Sequence, residues 1–132
     1  KKGGAFIPLK TLAKTGLGGK QGKGNQYISW IHETDFAKAI EFIIQQEMTG
    51  VINIVSPTPI TNADFMKKLR KAVGQFVGIP IPTFLLKIGS FIIRTETELV
   101  LKSRNVIPKK LTENGFKFEF TSIDAAFKNL LQ

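Results

Sequence analysis

The chain has 132 residues, 42% of them hydrophobic, and a formal net charge of +9. This length and apolar fraction allow one domain with a core and exclude a disordered chain. The absence of cysteine excludes a disulfide framework and a thiolate metal site. No apolar run approaches the roughly 20 residues that span a bilayer, and no signal peptide is recognisable. We therefore expect a cytoplasmic protein without membrane contact, and its start at Lys1 suggests a piece of a longer one.

The positive charge is concentrated at the amino end. Residues 1–32 contain no acidic residue and six lysines, which are Lys1, Lys2, Lys10, Lys14, Lys20 and Lys23. A basic segment of this kind is suited to phosphate, either on a nucleotide or on a nucleic-acid backbone. A solvated surface that improves solubility is the other interpretation.

The first half of the chain predicts a helix, a loop, a strand and a second helix. Apolar spacing indicates a short helix over residues 6–13, and five glycines within residues 16–24 indicate a loop. Residues 26–32 alternate as in a two-faced strand. Thr34 is then expected to cap a helix with Asp35 in its first turn that ends near residue 50. The apolar stripe of this helix is Phe36, Ile40, Ile43 and Ile44.

The middle of the chain predicts a buried strand and a capped helix. The continuous β-branched run at residues 51–55 is typical of a strand covered on both faces. Thr61 and Asp64 are close to a capping box, which opens a helix that we expect to end at Gly78. Its stripe is Phe65, Leu69, Ala72, Val73 and Phe76.

The last 50 residues, 83–132, form a predicted helical subregion of a single domain that spans 1–132. Helices are expected around residues 84–92, 99–101 and 109–114, the last closed by Gly115. Phe116, Phe118 and Phe120 alternate with polar residues, which indicates a half-buried strand or an extended arm. Thr121 is expected to cap a final helix with Ile123, Ala126, Phe127, Leu130 and Leu131 on one side. The class is α/β, rich in helices, with few short strands.

Two features resemble functional motifs but fail on context. Gly16, Gly19 and Gly22 match a dinucleotide fingerprint in spacing, yet a helix precedes them and a strand follows, the reverse of what the fingerprint requires. His32 is the only histidine and has no cysteine or second histidine for a metal site. We interpret it as structural. Tyr27 has no lysine four residues later, so the chain also lacks a Tyr-x-x-x-Lys pair, and we assign no catalytic residue.

The order of short motifs resembles a known family. The motifs are Gly3-Gly4-Ala5-Phe6-Ile7-Pro8, Gly22-x-Gly24-x-Gln26, Ser29-Trp30-Ile31-His32, Asp35-x-Ala37-x-Ala39-Ile40, Gly50-Val51-Ile52-Asn53, Pro80-x-Pro82 and Gly115-Phe116-x-Phe118. In this order they are similar to the carboxy-terminal half of sugar-nucleotide epimerase-like proteins of the extended short-chain dehydrogenase/reductase superfamily.

The resemblance implies a substrate-binding lobe that is incomplete without a Rossmann domain. That domain would carry the glycine fingerprint, the Tyr–Lys pair and NAD or NADP, while this chain would hold no cofactor and would not be catalytic alone. The implied ligand is a nucleotide sugar. Where the family usually has an arginine that meets the phosphates, this sequence has Asn25. The substrate-binding residues we expect are Lys20, Lys23, Asn25, Gln26 and Arg104.

Two other functions stay open on the sequence. A basic nucleic-acid-binding module is favoured by the amino-terminal lysines, although the aromatic residues lie at helix-core spacing rather than between basic residues. A structural or dimerising domain is the other alternative. Without a Rossmann partner, Phe36 and Ile40 would be exposed, and the chain would form a homodimer or larger associate.

Overall fold

The computed structural model describes residues 6–85 and 102–132 and shows a helix-rich chain with one small sheet. The elements are α1 (Phe6–Lys14), β1 (Tyr27–Ile28), α2 (Glu33–Gln45), β2 (Ile60–Thr61), α3 (Asn62–Ala72), α4 (Lys109–Glu113) and α5 (Ile123–Leu131). The expected class, helix-rich with few short strands, is confirmed. Residues 83–85 are also helical. The helices expected at 88–92 and 99–101 fall outside the described residues.

A first hydrophobic cluster joins α1, α3 and α5. Phe127 of α5 is buried between Phe6 of α1, at 5.9 Å between ring centroids, and Phe65 of α3, at 5.2 Å. The cluster also contains Ala13, Met66, Leu69 and Ile123. Burying each of these large side chains stabilises the fold by about 1.5–3 kcal/mol, so this cluster holds the three helices together.

A second hydrophobic cluster lies under α2. Its buried members are Ala39 of α2, Leu111 of α4 and Phe116, with Phe42, Ile43, Met48, Ile52, Ile54 and Phe118 packed around them. Residues 116–120, here called the C-terminal arm, belong to neither a helix nor a strand. Of the two alternatives from the sequence, the half-buried strand is therefore wrong and the arm remains.

The start of α2 differs from the expectation that Thr34 caps it. The cap is His32, whose Nδ1 accepts the backbone N–H of Thr34 at 3.2 Å. A hydroxyl at position 34 was the wrong choice because the helix already begins at Glu33. Imidazole offers the same kind of acceptor as a hydroxyl when one ring nitrogen is unprotonated. The helix also ends earlier than residue 50, at Gln45.

Residues 51–55 were expected to form a strand, and this prediction was wrong for the described chain. They make no ladder, Val51 is 84% exposed, and the hydrogen bond from Ser56 N to Trp30 O follows them directly. A β-branched run becomes a strand only where neighbouring strands pair with its backbone. The one sheet among the described residues is the antiparallel pair of β1 and β2, two residues each.

Two helix ends also required correction. α3 stops at Ala72 rather than Gly78, because Gly74 at φ 73° turns the chain out of the helix. Phe76 consequently leaves the predicted stripe and is 93% exposed. The last helix is capped at Ser122, without a side-chain hydrogen bond, while the carbonyl of Thr121 accepts the hydroxyl of Thr58. The caps predicted at Thr61 and Gly115 are confirmed.

Candidate ligand cleft

A cleft of about 460 Å³ opens beside the amino end of α3. It is lined by Lys23, Asn25, Gln26, Thr83 and Ser103. Three of the five residues expected from the sequence are therefore brought to one place. Most ligand-binding clefts have a volume of roughly 300–1,000 Å³, so this one has room for a small molecule.

Asn25 is held between two backbone hydrogen bonds. The carbonyl of Gly24 accepts the N–H of Ala63, and the carbonyl of Gln26 accepts the N–H of Asn62, each at 2.9 Å. These two donors are the first amides of α3, which no carbonyl of the helix itself can satisfy. The loop thus completes the helix start, and the helix fixes the backbone that presents Asn25.

A buried amide network forms the floor behind the cleft. Asn62 accepts the backbone N–H of Gln21 at 2.7 Å and donates from Nδ2 to Gln21 Oε1 at 3.1 Å. Gln26 donates from Nε2 to the carbonyl of Gln21 at 2.8 Å. All three side chains are buried, so each bond is worth more than an exposed one, and the network anchors the loop. Gln26 serves this floor as well as the lining.

The glycine-rich loop of residues 16–24 is held in place by hydrogen bonds to a distant segment. It pairs with residues 79–81 through four backbone hydrogen bonds of 2.9–3.1 Å, namely Ile79 N to Gly16 O, Gly19 N to Ile79 O, Ile81 N to Lys20 O and Gly22 N to Ile81 O. A Cβ on Gly19 would lie 2.5 Å from the Ile79 carbonyl oxygen, closer than any real contact. The glycines therefore permit close approach of two backbones.

Residues 103–106 are hydrogen-bonded to β1 and to Ser29, which follows it. Tyr27 donates its N–H to Ser103 Oγ at 3.1 Å, and Arg104 N–H donates to the Tyr27 carbonyl at 2.9 Å. Ser29 Oγ donates to the carbonyl of Arg104 at 2.6 Å and accepts the N–H of Val106 at 3.2 Å. This arrangement places Ser103 in the cleft.

The two remaining predicted residues do not line the cleft. The stem of Lys20 lies over Gly24, where an added Cβ would be 2.9 Å from Lys20 Cβ. Arg104 is exposed, and its backbone rather than its guanidinium is what meets β1. Thr83 and Ser103 were missed because both join the cleft from far along the chain. The only local signals were that Thr83 follows the Pro80-x-Pro82 motif and that Ser103 precedes Arg104, an expected substrate-binding residue.

His32 lies outside the cleft and is 2% exposed. Its ring stacks on Phe120, with the two centroids 3.9 Å apart, and its Nδ1 caps α2. These contacts explain the residue structurally. Residues 6–85 and 102–132 contain no group of three or more acidic or histidine side chains that could hold a metal ion. In the same residues, no helix is long and apolar enough to cross a membrane.

An apolar patch is exposed on α2. Phe36, Ile40 and Ile44 lie one helical turn apart and are 47%, 38% and 70% exposed. They are the stripe that the sequence predicted, but only Ile43 of that stripe packs against the second cluster. One side of α2 therefore packs against the second cluster, and another side exposes large apolar residues to solvent. This row is called the α2 patch below.

Comparison with known sequences places the chain among larger proteins. A family described as a domain of unknown function, DUF1731, matches residues 81–130. The human epimerase family protein SDR39U1 is 31% identical over 130 residues, which cover 98% of this chain and 44% of that protein. The epimerase family protein YfhF of Bacillus subtilis is 29% identical over 127 residues, which cover 96% and 40% of the two. The chain spans less than half the length of these relatives.

Solved structures agree with this comparison. The crystal structure of human SDR39U1 (isoform 2) with NADPH has a TM-score of 0.85 to this chain at 30% identity, covering 98% of this chain and 43% of that one. The nucleoside-diphosphate sugar epimerase from Corynebacterium glutamicum has a TM-score of 0.67 at 32% identity, covering 95% and 22%. The fold of this chain is therefore also found as a segment of longer proteins.

Proposed function

Because the chain is similar over nearly its whole length to the carboxy-terminal part of epimerase family proteins, we propose that it is the substrate-binding lobe of such a protein. In this proposal residues 1–132 form one lobe, with 83–132 as its helical subregion. The cleft of Lys23, Asn25, Gln26, Thr83 and Ser103 holds the substrate. The cleft is the observation that carries the proposal, since it gathers three of the five residues that the resemblance implied.

The α2 patch supports a second part of the proposal, the docking of a Rossmann domain of the same polypeptide. Three large apolar side chains in a row on one helix mark a surface that is normally covered. The relatives are more than twice as long as this chain, which leaves a length sufficient for a Rossmann domain. Residues 51–55, which lack strand neighbours in the described chain, would find them at the edge of such a domain's sheet.

The cofactor, NAD or NADP, belongs to that other domain. The crystal structure of the human relative SDR39U1 contains NADPH. The residues described here do not fit a dinucleotide, because the amides of Gly19, Gln21 and Gly22 already donate to Ile79, Asn62 and Ile81. A pyrophosphate needs such amides free at a helix start. The reaction of the whole protein, as an NAD(P)-dependent epimerase or dehydratase acting on a nucleotide sugar, is proposed by family analogy.

Titration with NADPH tests the division of labour. We expect the intact polypeptide that carries this chain to bind NADPH and the 132-residue chain alone to bind none, as measured by isothermal titration calorimetry. Asn25→Ala changes the cleft, and Asn129→Ala is the matched change on α5. In the intact polypeptide both variants should leave NADPH binding unchanged, because the other domain binds the cofactor. Tight binding of NADPH by the isolated chain would sink the proposal.

The nucleic-acid alternative rests on the charge of residues 1–32 and remains a prediction with its own test. Binding carried by lysines would weaken steeply with salt, because phosphate contacts release counterions. A gel-shift series with single- and double-stranded probes at rising salt decides between a nucleic-acid-binding module and a substrate-binding lobe. No shift at the lowest salt removes this alternative.

A further inference from the structure

We propose that the cleft selects a hydroxyl-rich ligand that carries a single anionic group, such as a sugar monophosphate, over a nucleoside diphosphate sugar. The inference rests on one part of the proposed function, the cleft as the substrate site. It replaces the other part, the nucleotide sugar proposed by family analogy, with a ligand that carries a single anionic group. The selectivity depends on which hydrogen-bond donors near the cleft are engaged within the fold and which remain for a ligand.

The first donors to consider are the amides of the glycine-rich loop. Loops of this composition bind phosphate through free backbone N–H groups. Here Gly19 N–H donates to the Ile79 carbonyl at 3.1 Å, and Gly22 N–H donates to the Ile81 carbonyl at 3.0 Å. Between them, Gln21 N–H donates to Asn62 Oδ1 at 2.7 Å. These amides already donate hydrogen bonds within the fold and are not available to a diphosphate.

The second set of donors is the amino end of α3, which borders the cleft. A free helix start attracts phosphate through its unpaired amides and the helix dipole. The first three amides of α3 are paired: Asn62 with the Gln26 carbonyl, Ala63 with the Gly24 carbonyl and Asp64 with Thr61 Oγ1. Asp64 also adds a carboxylate in this first turn. The helix start therefore offers no place for a second anionic group.

The cationic side chains are the third source of binding. Among the residues that the structure describes, Lys23 is the single cation lining the cleft. Lys20 extends over Gly24, and Arg104 is exposed outside the lining. A lysine is a point charge without the planar fork that grips a phosphate at two points. One lysine matches one phosphate or carboxylate, whereas a diphosphate would leave charge without a partner in the cleft.

The rest of the lining is neutral and suited to hydroxyl groups. Asn25 has both amide donors and an acceptor, and Thr83 and Ser103 have hydroxyls that donate and accept. Ser103 Oγ accepts the N–H of Tyr27 and keeps its own proton for a ligand. Sites built to hydrogen-bond a ligand hydroxyl discriminate strongly against ligands that lack it. The neutral lining therefore selects a polyhydroxylated molecule.

The test is calorimetric titration of the intact polypeptide, loaded with NADPH, with glucose, glucose 1-phosphate, UDP and UDP-glucose. We expect glucose 1-phosphate to bind at least about tenfold more tightly than glucose, and also more tightly than UDP-glucose. Lys23→Met should remove the advantage over glucose, while Lys67→Met, a lysine-to-methionine change on the exposed side of α3, should not. Asn25→Arg should raise affinity for UDP-glucose about tenfold, and Asn129→Arg on α5 should leave it unchanged.

The outcomes separate the two proposals. If UDP-glucose binds as tightly as glucose 1-phosphate or more tightly, and Lys23→Met weakens both, the cleft is the substrate site but takes a diphosphate, and this inference is overturned. If no variant of Lys23 or Asn25 changes any of these affinities, the substrate does not lie in the cleft, and the proposed function is overturned with it.

Discussion

The carboxylate of Asp35 accepts the backbone N–H of Phe120 at 2.9 Å, across 85 residues of sequence. The second oxygen of the same carboxylate accepts the N–H of Glu119 at 2.8 Å. Asp35 is fully buried, so its charge is balanced by these donors and by the start of α2 rather than by water. This one side chain attaches the C-terminal arm to α2.

Asp35→Asn should therefore destabilise the fold by about 3 kcal/mol. An amide retains one acceptor but turns an N–H₂ group towards the other backbone donor, which leaves a buried N–H unpaired. Chemical denaturation of the two proteins, with the change in midpoint compared at equal slope, measures the difference.

Glu33→Gln is the matched control for this change. It removes a carboxylate from the same helical turn, but Glu33 is exposed, so the loss should stay below about 1 kcal/mol. Equal losses for the two variants would mean that the helix dipole, and not the attachment of the arm, accounts for the effect.

Gly19→Ala should destabilise the fold by more than about 2 kcal/mol. Its new Cβ would overlap the Ile79 carbonyl and force the paired backbones apart, with loss of the hydrogen bonds on either side. Gly115→Ala is the comparison, because its φ of 87° is strained for alanine while nothing lies within 4 Å of the added Cβ. Backbone strain alone costs about 1–3 kcal/mol. Thermal melts that rank Gly115→Ala as the more damaging variant would contradict the close approach.

Phe36→Glu should reduce self-association of the isolated chain. The α2 patch is apolar and open, so two copies bury it against each other at high concentration, and a carboxylate at its edge opposes this. Phe76→Glu places the same charge at a still more exposed phenylalanine away from α2 and should change little. Sedimentation velocity over a concentration series reports both. A strictly monomeric parent chain would show that the patch does not drive association.

Lys38 gives the chain an alkaline dependence of stability. Its hydrogen bond to Glu119, with the charge of that carboxylate, raises the pKa of the Lys38 ammonium above its usual 10.5. The contact therefore stabilises the fold below that value and is lost as pH rises through the higher folded pKa. Both side chains are about half exposed, so the effect is small. Lys38→Arg, which keeps its charge at high pH, should flatten the alkaline fall in melting temperature, and Lys67→Arg should leave it as it is.

The cap at Thr61 and the buried side of α5 were predictable because their determinants are local, whereas the local patterns at Thr34 and Thr121 each put a cap at the wrong residue. Thr61 and Asp64 lie three residues apart, and the spacing of Ile123, Ala126 and Phe127 alone defines the buried side of α5. The strand at residues 51–55 was wrong because pairing depends on distant neighbours, which no local pattern supplies. For the same reason the sequence located Lys23, Asn25 and Gln26 together but not Ser103, which reaches the cleft through Tyr27.

The role of the glycine-rich loop depends equally on a distant segment. Its composition indicated a loop, and the structure shows that this loop pairs with residues 79–81. Glycine serves both purposes, since a missing Cβ permits unusual turns and also close approach. The position of Ile79 shows that the glycines of this loop permit close approach.

The stacking of Phe6 on Phe127 has a consequence for how the protein is made. α1 leaves the ribosome before α3, yet the side chain that lies between them belongs to α5, whose residues are added after both. The first cluster thus stays open to solvent until synthesis of residues 123–131 is finished. Nascent chains that stall before Phe127 would expose Phe6 and Phe65 together and become substrates for chaperones that bind apolar segments.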